Sequence, residues 1–308
     1  MNRLPDRASR ERSSREPPRA VRARSVLLTP NIGTHPWIVD GHGHLHPWMS
    51  RDRAFHLAHA NFRQVCQREG LPGDTPKVIA LVDPTGHDSR TMLEAPSLPG
   101  RRHGAEAEGS SAAGLHREPG PGRNREREPG RNRERGEGSG RGSAAGLHDP
   151  WQVRPLSDRL SFRATRPSDE AELFLVLGRQ VRAQCGLEVL APATTTLRVP
   201  DGLPFPEALA RIRQELGYAI LPWGVGKWTF ERGRKVAEAL RGNGQGRTLM
   251  GDNAGRPPYL PRPGLFRLAE RSGIPILPGS DPLPLPGEER KLGSFGFLLR
   301  GEFDREAP

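Results

Sequence analysis

Four residues in one short run, Asp40, His42, His44 and His46, carry side chains that hold metal ions. They lie in VDGHGHLHP, directly after an apolar stretch. On an extended segment alternate side chains share a face, so His42 and His44 can point at one ion. Neutral imidazole is the commonest metal ligand, and carboxylates complete the shell. Asp40 offers a carboxylate from the same run, and Asp281, in LPGSD at the end of the last apolar stretch, offers one from far along the chain. The set suits a divalent metal, Zn, Mn or Fe, that activates water and polarises a substrate oxygen. His46 precedes Pro47 and reads as loop-shaping. His56 and His59 fall on the next helical stretch and read as surface or packing residues, and His87 belongs to a polar loop.

The elements that must position these residues follow from periodicity. Short apolar runs at 36–40, 77–83, 160–166, 172–178, 187–191, 218–224, 248–253 and 274–281 read as strands. Residues 51–70 read as a helix, with Phe55, Ala58, Phe62 and Val65 on one face and Gly70 as its stop. Further helices are expected at 204–217, 232–244 and 264–273. This alternation implies a mainly parallel sheet with crossover helices. The fold class expected is α/β, a (β/α) barrel of about seven strands. In such a barrel functional residues gather at the C-terminal ends of the strands. Those ends hold Asp40 to His44, Asp83, Gly178-Arg179-Gln180, Trp223-Gly224, Gly251-Asp252-Asn253 and Gly279-Ser280-Asp281. Asp and Asn are also favoured in plain turns, so Asp252 and Asn253 read equally as turn or substrate-binding residues. GVGK, at 224–227, lacks the spacing of a phosphate-cradling loop.

Composition places part of the 308 residues outside any packed core: apolar residues make up only 34%, with 32 Pro and 37 Gly. Residues 1–30 are expected to be a disordered basic tail; residues 1–24 alone hold eight arginines against three acids. A low-complexity insertion at about 99–149 repeats SAAGLH at 111–116 and 143–148 and carries ten arginines against seven acids over 101–148. One domain over 31–308, interrupted by that insertion, accounts for the rest. These two stretches hold most of the net charge of +11, and no aromatics interleave their arginines, which argues against a nucleic-acid partner. No run of about 18 apolar residues occurs, so no membrane partner is expected. Cys66 and Cys185 stand far apart and read as reduced thiols of a cytoplasmic protein.

Asp-x-His-x-His after a first strand, in an alternating chain whose last strand ends in aspartate, resembles the TIM-barrel metal-dependent hydrolases. These comprise the amidohydrolase superfamily and the polymerase-and-histidinol-phosphatase (PHP) family. LVLGRQVRAQCGLEVLA, at 175–191, is closer to the PHP pattern, in which a hairpin-like pair of strands presents an acidic residue. The resemblance implies a PHP-like hydrolase, of phosphoesterase type, with His42 and His44 as ligands. It makes Asp281 a ligand or base and Glu188 an accessory catalytic carboxylate. Arg179, Lys227 and Arg256 would clamp a small anionic substrate, the arginines through their planar fork. Those families also take imidazoles from later strands, whereas all ten histidines here lie at or before His148. The alternative is therefore a catalytically inactive barrel that binds a small anionic ligand or a protein partner. Deleting residues 100–148 is expected to leave the thermal unfolding transition in place; loss of that transition would assign the insertion to the core.

Overall fold

The computed structural model describes residues 36–96, 149–194, 198–242, 246–257 and 259–308. The basic tail and nearly all of the insertion lie outside the described residues. Along the chain come β1 (Pro36–Gly43), α1 (Arg51–Glu69), β2 (Lys77–Asp83), α2 (Ser89–Glu94), β3 (Gln152–Pro155), β4 (Ser161–Arg166), β5 (Ala171–Arg182), β6 (Glu188–Pro192) and α3 (Phe205–Leu216). There follow β7 (Ala219–Pro222), α4 (Phe230–Arg241), β8 (Thr248–Asn253), α5 (Gly264–Arg271), β9 (Ile276–Gly279) and β10 (Phe297–Arg300).

Eight strands run in the order β10-β1-β2-β5-β6-β7-β8-β9, and β9 packs back against β1, so the wall is a nearly closed barrel. It is not the seven-stranded (β/α) barrel expected. β1, β2 and β5 are parallel, as are β7, β8 and β9, but β6 is antiparallel to both its neighbours and β10 is antiparallel to β1. The reason is local. A tight turn after β5, closed by Ala183 N–H donating to the Leu187 carbonyl at 2.8 Å, reverses the chain, so no crossover helix is needed there. The long β5 also carries β4 along its first half, and β3 extends that edge.

Sheet alternation divides the core into three layers. Val39, Val78, Val82, Phe174, Val176, Leu190, Ile220 and Leu277 fill the barrel interior. Their strand neighbours Ile38, Ile79, Leu81, Leu173 and Leu175 face outwards and meet α1. α1 starts at Ser50, whose side chain accepts from Arg53 N, and stops at Gly70 in the left-handed region at φ 64°. It lays Phe55, Ala58 and Phe62 on the wall; each buried phenylalanine contributes roughly 1.5–3 kcal/mol relative to exposure. α3, α4 and α5 cover β6 to β9 in the same way.

β1 breaks its alternation. Asp40 pairs with Ile79, but Gly43 pairs with Leu81, so three steps on β1 match two on β2. The bulge shifts the side-chain parity: a side chain at Gly41 would meet interior Leu277, whereas one at Gly43 would meet outward-facing Ile79.

The barrel closes at this bulge. Asp40 is fully buried, and its Oδ1 accepts from Ser280 N at 2.8 Å and His42 N at 3.2 Å, while Oδ2 accepts from Gly293 N at 2.9 Å. One carboxylate thus joins β1, the end of β9 and the segment leading into β10. Asp281 N–H donates to the His42 carbonyl at 2.7 Å. The approach is so close that a Cβ on Gly279 would lie 2.4 Å from the His42 backbone nitrogen. Asp40→Ala is expected to strand three buried N–H groups, at about 1–3 kcal/mol each, and to lower stability in urea unfolding by at least about 3 kcal/mol. Asp40→Asn, which keeps one acceptor oxygen, should lose less. A loss under about 1 kcal/mol for Asp40→Ala would mean that the seam is held by other contacts.

Candidate metal centre

His42 and His44 leave the bulge of β1 with both rings at the barrel rim, and Asp281 arrives from β9 across the seam. The two Nε2 atoms are 2.9 Å apart, and Asp281 Oδ1 lies 3.5 Å from each. Ligand atoms about 2.1 Å from one shared ion are about 3.0 Å apart at a right angle and about 3.4 Å apart at the tetrahedral angle. The three atoms therefore fit a single small divalent ion. Both imidazoles are buried, and Asp281 nearly so.

The electrostatics suit the same use. Burial lowers the His42 pKa to about 4, against a smaller opposing pull from Asp281, so the ring is neutral and its lone pair available at neutral pH. Burial alone would raise the Asp281 pKa, but its electrostatic pairing with His42, a hydrogen bond from His44 and the charge of Lys227 hold it well below the usual carboxylate range. Asp281 also sits at φ 44°, in the left-handed region that residues other than glycine rarely occupy. That backbone is held by its N–H bond to His42, and such strain clusters at functional sites.

A second layer orients the ligands. Asn253, at the end of β8, donates through Nδ2 to Asp281 Oδ2 at 2.8 Å and to the Trp223 carbonyl at 2.9 Å. Gln180 Oε1 lies 3.3 Å from His42 Nε2 and brings a further oxygen to the site. The sequence places Gln180 at a strand end but gives it no role, because the apolar run stops at 178, whereas β5 runs on to Arg182. The usable signal was parity: Gln180 is in phase with interior residues Phe174 and Val176. His46 Nε2 bonds the Pro282 carbonyl at 2.9 Å, tying the loop after β1 to the loop after β9.

Other expected site residues are employed elsewhere. Asp40 is corrected from ligand to seam clip, since both its oxygens are spent on backbone N–H groups. Burial raises its pKa to about 6, against the lowering effect of its hydrogen bonds. Arg179 takes the opposite parity to Gln180, falls on the outer face and donates to Thr85 Oγ1 at 3.3 Å. Asp252 is likewise out of phase with Asn253 and holds Arg256 through two bonds of 2.9 and 2.7 Å. Lys227 bonds Glu188, so these two expected groups neutralise each other, although the Lys227 charge still acts on both His42 and Asp281. Asp83 accepts from Ser89 N and Oγ at 2.8 and 2.6 Å, anchoring the start of α2.

Comparison with protein-family models, curated proteins and solved structures finds no match to this chain. No helix among the described residues is long and apolar enough to cross a membrane.

Two measurements probe the centre. With His42 protonating only near pH 4, a bound divalent ion is expected to survive dialysis down to about pH 5; release between pH 7 and 6 would show ordinary, exposed imidazoles. Asn253→Ala, which frees Asp281, should weaken binding about 10–100-fold in a chelator competition.

Proposed function

We propose that this protein is a metal-dependent hydrolase whose divalent ion is held by His42, His44 and Asp281 and which acts on a small anionic substrate, a phosphoester being the favoured class. The observation that carries the reading is the convergence of two imidazole nitrogens and a carboxylate oxygen, from opposite ends of the sequence, within 3.5 Å of one another at a barrel rim. Gln180 is placed to supply a fourth donor, and Asn253 fixes the carboxylate. An ion in such a site acts as a Lewis acid and lowers the pKa of its water towards neutrality. The protein's own share is to orient the ligands and to keep water from their flanks by burial. The choice among Zn, Mn and Fe belongs to this proposal, as does a cytoplasmic location, which rests on the two free cysteines.

A second reading, a binding barrel without turnover, has one observation in its favour. Lys227 and Arg256 are both engaged by carboxylates, Glu188 and Asp252, rather than free to clamp a substrate.

Metal analysis of the purified chain should find close to one Zn, Mn or Fe per molecule, and the double variant His42→Ala/His44→Ala should lose it. Equal, trace metal in both would end the metal reading. A phosphomonoester and phosphodiester panel with added Mn²⁺ should then show turnover that falls at least about a hundredfold in the double variant. A metal-loaded protein without turnover would favour the binding barrel.

A further inference from the structure

Among the described residues, the large apolar side chains left in solvent share one location. Trp48 follows β1; Val225 and Phe230 follow β7; Tyr259 and Leu260 follow β8; Leu283 and Leu285 follow β9. β7, β8, β9 and β1 are successive staves of the wall, so these residues crown one continuous arc of the rim that carries His42, His44 and Asp281. Among the described residues, the loop after β2 and the turn between β5 and β6 contribute none. Single exposed apolar residues are ordinary on a protein surface, but a set confined to one arc is not.

Phe230 is the most telling. It is 95% exposed, and it opens α4 at φ 50°, a conformation that a bulky side chain adopts only at a cost. The chain thus bears both backbone strain and apolar exposure at one position. Val225 and Tyr259, at 72% and 83% exposure, stand out on separate loops in the same way. These are separated prongs rather than a flat patch. Trp48 and Tyr259 have the amphipathic rings that settle at a bilayer interface.

The charge of the arc completes the pattern. Residues 44–53, 223–235, 254–267 and 280–291 hold eleven lysines and arginines against five acids. Lys227, Arg256 and Arg262 are matched by Glu188, Asp252 and Glu270, which lie outside those segments, and a cationic surplus remains after they are set aside. Basic residues beside apolar prongs are drawn to an anionic leaflet.

We propose that this arc docks on an anionic phospholipid surface, with Phe230, Tyr259 and their neighbours dipping into the interface and the metal centre facing the headgroups. The absence of an apolar run of spanning length, which argues against a transmembrane segment, does not bear on such peripheral seating: the prongs come from four different loops and leave no contiguous signal. The proposal stands on the exposed residues and does not require the metal reading.

Vesicle cosedimentation of the full chain tests it, with phosphatidylcholine alone and with added phosphatidylglycerol. The expected result is sedimentation with the anionic vesicles only, weakened by salt, and an affinity at least about tenfold lower for Phe230→Asp/Tyr259→Asp at an unchanged melting temperature. The arginines of residues 1–24 can hold the chain to anionic vesicles whatever the rim does, so the substitution decides the matter. Wild-type affinity in the double variant would overturn the proposal, as would no sedimentation at low salt. A dimer in light scattering that the same substitutions dissolve would also overturn it, assigning the arc to a second copy. His42→Ala/His44→Ala should still sediment, which separates failure of this proposal from failure of the metal centre.

Discussion

One buried carboxylate holds the architecture shut. A sheet rolled into a barrel must join its first and last staves, and here β1 and β9 meet at a bulge too irregular for a regular ladder. Asp40 bridges the gap by taking N–H groups from His42, Ser280 and Gly293. The arrangement is a balance of opposing terms. Burial favours the neutral acid and pushes the pKa up to about 6, while three donors aimed at the oxygens favour the charge. The nearby Asp281 N–H bond to the His42 carbonyl and the His46 bond to the Pro282 carbonyl add further polar ties, and Gly279 lets the two backbones approach within van der Waals contact.

The second constraint is the two-residue period of the strands. On β5 it turns Gln180 in and Arg179 out; on β8 it turns Asn253 in and Asp252 out. Neighbours of similar chemistry thus receive different work. Among the described strands the bulge in β1 breaks that period, and it sets the parity of the strand just where the two imidazoles leave it.

Much of this was legible in the chain. Strong apolar periodicity placed α1, α3, α5 and most barrel strands within a residue or two of their positions, because those segments pack on a core. β3 was missed because its edge residues face solvent and show no apolar signal, and the four-residue β10 lies in a stretch to which the sequence assigned no element. The antiparallel course of β6 is absent from the periodicity, because strand direction is set by connection geometry and not by composition; only the hairpin-like pair implied by the resemblance pointed to it. His42, His44 and Asp281 were legible as a set from residue type and strand-end placement. Asp40 was misread because a carboxylate that binds metal and one that binds backbone are the same residue; only the burial and the three incoming N–H groups tell them apart. The choice between Asp252 and Asn253 likewise needed the strand's phase, which residue type does not carry.

The ligands straddle the join. His42 belongs to the first stave and Asp281 to the exit of the last, so an ion gripped by both would span the barrel's weakest line. Occupancy and closure are then thermodynamically linked: whatever free energy the ion gains from the closed geometry is returned as resistance to opening, growing as RT ln(1 + [ion]/Kd). A chain of this build would stiffen or loosen with the free-metal level around it, making its rigidity a readout of ion supply quite apart from any chemistry at the rim.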